Sequence, residues 1–180
     1  MGRLKKEAKA TTRDDRAGSE RTKRITPEVF ERHRAFITLV MNNFFLSYLL
    51  RVYHAFDGDV VMAIVLGTIA HHNVRELARR TGYDTHLLSE ALRASRREAT
   101  QLLPTNAFSA SEATGIPRET VRRKIGSLAA RGWIRRTRRG DLFLTSRPKK
   151  HFKNSHYQLI NDLLDTADRI MRGCKEVPLM

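Results

Sequence analysis

The sequence predicts a mainly α-helical protein carrying one small β-hairpin. Three observations lead there. Beyond residue 25 apolar residues recur at helical spacing over most of the chain. Helix starts and stops are marked by cap residues, prolines and glycines at the offsets that helix ends require. A single pair of β-like runs, WIRR and LFLT, is joined by TRRGD, with Gly140 available for the turn.

Each element can be justified in order. Residues 1–25 hold eight cations against four acids and almost no large apolar groups, so a disordered basic tail is expected. Thr26-Pro27-Glu28 opens a first helix with a Thr cap, a Pro in the first turn and an acid near the positive end of the dipole. It should run to about Phe56. Its apolar residues cover much of the circumference, which predicts deep burial in the domain or in a dimer interface. Asp57-Gly58-Asp59 breaks this helix, and Asp59 caps a second apolar helix ending near Gly82. A third, more polar helix is expected over about Thr85–Leu102, stopping before Pro104. Residues 26–103 thus form a helical core and dimerisation region.

Pro104-Thr105-Asn106 reads as a linker. Ser109 and Glu112 match the S-x-x-E capping box and should start a short helix. Gly115-Ile116-Pro117 is a turn, a longer helix follows to Arg131, and Gly132 stands where a left-handed C-cap belongs. The hairpin comes next. Phe152, Leu159, Ile160, Leu163, Leu164, Ala167, Ile170 and Met171 then form a helical stripe, so residues 148–172 are expected to be a C-terminal dimerisation helix and 173–180 a tail. No internal repeat of solenoid period is visible.

Charge narrows the function classes. Lys and Arg number 34 against 19 acids, giving +15, which favours a polyanionic partner. Hydrophobic content of 41% supports a real core. A single cysteine, Cys174, can form no internal disulfide, consistent with a reducing compartment. The N-terminal stretch has no apolar core for a secretory signal, and Lys6 stands where a myristoylation site needs Ser or Thr. The apolar run Phe36–Leu50 is short for a span and contains Asn42 and Asn43. The expectation is a cytoplasmic protein without a membrane partner.

Residues 104–147 carry the strongest functional signal. Ala110 and Ser111 are small where a first helix must approach a second, Gly115 follows Ser111 by four residues where the turn needs a positive φ, and Ile116 is the buried turn residue. Val121, Ile125 and Leu128 give the second helix its inward face, and GWIRR–TRRGD–LFLT supplies a hairpin. This resembles the winged helix-turn-helix of bacterial transcriptional regulators of the broad MarR and IclR kinds, over about Asn106–Thr145. The resemblance implies double-stranded DNA as partner, a recognition helix for the major groove, a wing on the minor groove or backbone, and a homodimer.

Helical geometry assigns the faces. With Val121 at zero, Ile125 falls at about 40° and Leu128 at about 340°. Arg123, at about 200°, and Glu119, at about 160°, lie opposite, flanked by Thr120 and Arg122. Arg can bond guanine bidentately, Glu can accept from cytosine, and Arg or Thr can hold phosphate; Glu119 could equally serve the dipole of the first turn. Arg135, Arg136, Arg138 and Arg139 are the wing cations, the last two beside Gly140 at the tip, where arginine enters a narrow minor groove. With Arg118 and Lys124 these make the expected DNA-binding set. From Arg118 to Gly140 there are nine cations against the one acid Glu119, a net +8.

Other readings are weaker. Val74–Leu92 has helix-turn-helix spacing too, but no basic cluster and no hairpin after it, and reads as two packing helices of the core. No P-loop, Rossmann glycine pattern or HExxH is present. The adjacent His71 and His72 point about 100° apart on a helix and do not chelate as an i, i+4 pair would. No enzyme activity, metal or cofactor is expected. Phe44, Phe45 and Tyr48 of the first helix, with Leu159, Leu163 and Ile170 of the last, are the expected dimer contacts; the aromatics could instead line a small-molecule pocket for an effector, and the sequence leaves both open. The expected function is a sequence-specific, dimeric DNA-binding transcriptional regulator. The alternative is an RNA-binding or nucleoid-type structural protein using the same basic face without operator specificity.

Overall fold

The computed structural model describes residues 25–98 and 102–175. The tail expected before Ile25 and the last residues of the chain lie outside them. Seven helices and one hairpin are described: α1 (Pro27–Ala55), α2 (Val60–Arg80), α3 (Thr85–Glu98), α4 (Ala107–Thr114), α5 (Arg118–Ala130), β1 (Ile134–Arg136), β2 (Leu142–Leu144), α6 (Arg147–His151) and α7 (Lys153–Gly173). The protein is mainly helical, with one two-stranded antiparallel sheet.

The helix starts are chemical. The Thr26 hydroxyl accepts from Val29 N at 3.3 Å, and Pro27 opens α1 where its missing N–H costs nothing. Asp59 Oδ1 accepts from Met62 N at 3.0 Å and caps α2. The third helix begins at Thr85 as expected; its anticipated end falls at 99–101, outside the described residues, and Leu102 is no longer helical.

α2 is the centre of the main core. Met62, Val65, Leu66 and Ile69 pack against Ala110 of α4, Val121, Ile125 and Leu128 of α5, and Ile134 and Leu142 of the hairpin. The expected boundary at residue 104 therefore separates no two cores: α2 shares one with the elements that follow. Phe56, at the end of α1, closes it, with its ring edge-on to Trp133 at 5.4 Å and stacked on Phe152 at 5.4 Å. Phe152 thus belongs to this core and separates α6 from α7, whereas the sequence placed it in one continuous last helix.

Two polar residues in this core decide how the chain is threaded. Asn73, fully buried, donates through Nδ2 to Leu103 O at 2.7 Å and Leu142 O at 3.1 Å, while its Oδ1 accepts from Leu144 N at 2.7 Å. Buried Thr105 lies antiparallel to Leu142, whose N–H donates to Thr105 O at 2.8 Å. Residues 104–106 are accordingly no loose linker. They run beside β2 because the unpaired edge of a two-stranded sheet needs backbone partners.

α1 and α7 form a second, antiparallel pair. Ile170 packs against Ile37 and Val40 in a small cluster that Ile25, Met41 and Cys174 border. Arg51 pairs with Asp162 farther along. Deep burial of α1 within its own chain, one of the two outcomes the sequence offered, is not what is found: Leu39, Leu46, Leu50 and Tyr53, spaced along one stripe, are all exposed. By length and composition α1 is apolar enough to cross a membrane, because the helix continues on both sides of the Phe36–Leu50 run; its best 18-residue window has mean hydropathy 1.4, with 11% of it buried. α3 likewise differs from the packing helix expected of it. It packs mainly against α2, and Tyr83 just before it and Leu87 in its first turn are exposed.

Candidate nucleic-acid interface

The site is built on α4, α5 and the hairpin. Asn106 in extended backbone caps α4, its Oδ1 accepting from Ser109 N at 2.9 Å. The capping box expected from Ser109 to Glu112 does not form. Pairing of Thr105 to Leu142 delivers the chain to Asn106 in cap geometry, so the helix starts before Ser109, which falls inside the first turn. Gly115 ends α4 with φ +67°, a conformation in which a side chain is strained. The turn is tied down by Ser111 Oγ donating to Ile116 O at 2.7 Å and Thr114 Oγ1 donating to Ala110 O at 2.7 Å.

α5 is amphipathic as the wheel requires. Val121, Ile125 and Leu128 are buried, while Glu119, Arg122 and Arg123 are exposed and Thr120 is half-buried. Past Arg123 the outward face carries only Gly126, Ser127 and Ala130, all exposed. A β-carbon at Gly126 would meet nothing within 4 Å. The helical wheel that places Arg123 outward places this bare strip beside it. It lets the α5 backbone come close to a flat or grooved partner.

The cations of α5 divide into two groups. Lys124 faces inward and sideways: its Nζ meets Asp59 Oδ2 at 2.6 Å, with the Lys124 side chain 17% exposed. Arg131 Nη2 meets Asp57 Oδ2 at 2.9 Å. The α1–α2 turn thus presents two carboxylates to one flank of α5. Partial burial alone would raise the Asp59 carboxyl, but hydrogen bonds from Lys124 and from Met62 N–H, with the nearby positive charges, hold it below its ordinary value. Lys124 is therefore no part of an outward binding face, although charge counting put it there. Arg122 is engaged differently. It forks onto Glu119 at 2.7 and 2.6 Å, and its hydrogen bonds draw the Glu119 carboxyl down. That fork is fully solvent-exposed, so it can open toward a polyanion at little cost.

Six of the nine cations between Arg118 and Gly140 have no acidic partner within ion-pair distance among the described residues: Arg118, Arg123, Arg135, Arg136, Arg138 and Arg139. Two of them rest on rings. The Arg118 guanidinium lies 5.7 Å from the centre of the Phe108 ring, and the Arg135 guanidinium 5.0 Å from that of Phe143, its cross-strand partner. Phe108 is 54% exposed, and spacing alone gave no reason to choose it. Arg138 and Arg139 are exposed at the tip beside Gly140, whose N–H donates to Thr137 O at 3.0 Å. Asp141 N donates back to Thr137 Oγ1 at 3.1 Å and closes the turn. Farther on, α6 adds exposed Arg147, Lys149 and Lys150, cations outside the segment that charge along the sequence marks.

The residues expected at a dimer contact are dispersed. Phe45, Tyr48 and Leu163 are exposed, Phe44 and Leu159 are half-buried, and Ile170 is buried against α1 of its own chain. Among the described residues no three His, Cys, Asp or Glu side chains are placed to share a metal ion. Comparison with family models, with curated proteins and with solved structures found no match to this chain.

Proposed function

We propose that this protein is a sequence-specific double-stranded DNA-binding regulator of transcription, in which α4, α5 and the β1–β2 hairpin act as a winged helix-turn-helix. The observation that carries the reading is the outward face of α5. It joins a central arginine and a glutamate to a strip of Gly126, Ser127 and Ala130 bare enough for the helix to enter a major groove. Arg123 stands farthest from the buried face and is the base reader. Glu119 and Arg122 exchange their mutual fork for contacts to a base edge and to phosphate. Arg118, steadied on Phe108, meets phosphate at the helix start. Arg138 and Arg139 reach the backbone or the minor groove from the hairpin tip.

Two copies act together. The exposed stripe of α1 and the exposed Ile160, Leu163 and Leu164 of α7 offer an apolar face on a helix pair of one chain, and a second copy covering it gives a four-helix contact. Two-fold pairing of this kind matches a palindromic site. Selection of bound sites from a randomised duplex library tests the reading. Enrichment of a palindrome bound at least about a thousandfold more tightly than random duplex supports a regulator. Equal affinity for every sequence would instead indicate a structural nucleic-acid coat.

A further inference from the structure

A cleft of about 610 Å³ lies between α1, α2, β2 and the α6–α7 segment, away from the outward face of α5. Its walls are mostly aliphatic, with Leu49, Val52, Val60, Ile64, Leu144 and Leu159 among them. The volume is in the range of sites that enclose small organic ligands. The two charged side chains in its lining are both cationic. They are Arg51 and Lys149, and no Asp or Glu lines the cleft. Arg51 is satisfied on one side only: one nitrogen pairs with Asp162, while Nη1 is buried and has no hydrogen-bond partner. A buried donor left in that condition is costly, and a small turn of the guanidinium, whose side chain is 37% exposed, would bring it to a carboxylate oxygen in the cleft.

We infer that this cleft binds an aliphatic carboxylate, with the hydrocarbon chain along α1 and α2 and the carboxylate toward Arg51 and Lys149. Apolar walls supply affinity through burial of methylenes, and the guanidinium supplies selection for the anion. One wall position makes the site easy to close. Gly67 of α2 lines the cleft, and a β-carbon added there meets nothing within 4 Å. A larger residue at Gly67 therefore grows into open space without disturbing the core, and a non-glycine residue favours the helix.

The test needs no DNA, so its result stands apart from the reading of α5. Calorimetric titration of the full chain compares dodecanoate, dodecanol and dodecyltrimethylammonium, each below its micelle concentration. Dodecanoate should saturate at one site per chain, with dodecanol weaker by roughly tenfold or more and the ammonium weaker still. Gly67→Leu should abolish dodecanoate binding with melting temperature kept or raised, and Lys149→Ala should weaken it several-fold. Four results would overturn the inference: no saturation by dodecanoate, equal binding of the alcohol, undiminished binding by Gly67→Leu, or binding by a monomeric variant such as Leu163→Glu but not by the wild type. The last would mean that a second copy, and not a carboxylate, fills the cleft.

Discussion

Replacing both tip arginines, Arg138 and Arg139, with Ala should flatten the salt dependence of duplex binding by a fixed amount. Six cations of the interface lack an acidic partner of their own, and each phosphate neutralised contributes about −0.9 to the slope of log K against log salt. The wild type should therefore show a slope near −5, losing about a thousandfold in affinity between 50 and 200 mM salt. The double variant keeps four such cations and should show a slope of about −3.6, losing only about a hundredfold over the same range. Lys124→Met is the informative control. Lys124 has Asp59 as its partner, and the stem of Met can replace the packing of its methylenes, so the slope should stay near the wild-type value. Fluorescence anisotropy on a random-sequence duplex at five salt concentrations measures all three. A wild-type slope shallower than about −2 would defeat the electrostatic account. A Lys124→Met slope as flat as that of the tip variant would show that the division of the α5 cations is wrong.

Arg123→Ala should cost about 1–3 kcal/mol on the best site and relax preference at one base position, which a panel of single-base variants reads directly. Leu163→Glu with Leu164→Glu should give a folded monomer by sedimentation, since both side chains are exposed in the single chain; an unchanged dimer would remove α7 from the contact. Asn73→Leu should lower stability by about 3 kcal/mol or more, measured by urea midpoint, because two carbonyls and one N–H lose their partner in the core. Asp59→Asn keeps the α2 cap but removes the charge facing Lys124, at a cost of about 1–3 kcal/mol at neutral pH. The folded Asp59 carboxyl titrates below its unfolded value of about 4, so its contribution is present above that pH and fades as pH falls through the lower folded value. Urea midpoints of wild type and Asp59→Asn should therefore converge on acidification, and a constant gap down to pH 2 would contradict this.

The parts of the fold written in local chemistry were legible in the sequence. Thr26-Pro27, Asp59, Gly115 and Gly140 mark their breaks through caps and positive φ angles that depend on a few neighbouring residues. Val121, Ile125 and Leu128 fixed the face of α5 by period alone. What stayed hidden depends on residues distant in sequence. Nothing near Thr105 announces its pairing with Leu142, and that pairing moved the α4 cap from Ser109 to Asn106. Nothing in the 118–140 segment shows that Lys124 and Arg131 face carboxylates 65 and 74 residues earlier in the chain, so counting charge along the segment overstated its outward cations. Phe108 escaped notice for a similar reason: its partner Arg118 lies on the next helix, beyond the reach of a single wheel.

The turn at Asp57-Gly58-Asp59 has a mechanical meaning. With Phe56 it makes up the connection between α1 and α2, and its two carboxylates meet Lys124 of α5 and Arg131 just past the helix end. Phe56, immediately before it, is wedged between Trp133 and Phe152. No slack segment intervenes between the long helix and the helix that carries Arg123. On the proposed reading, a rotation of α1 against a second copy would be conveyed to α5 through these contacts. On the same reading, two such connections set the distance between paired α5 helices, and a site whose halves were moved apart by half a helical turn would be refused even with every base contact intact.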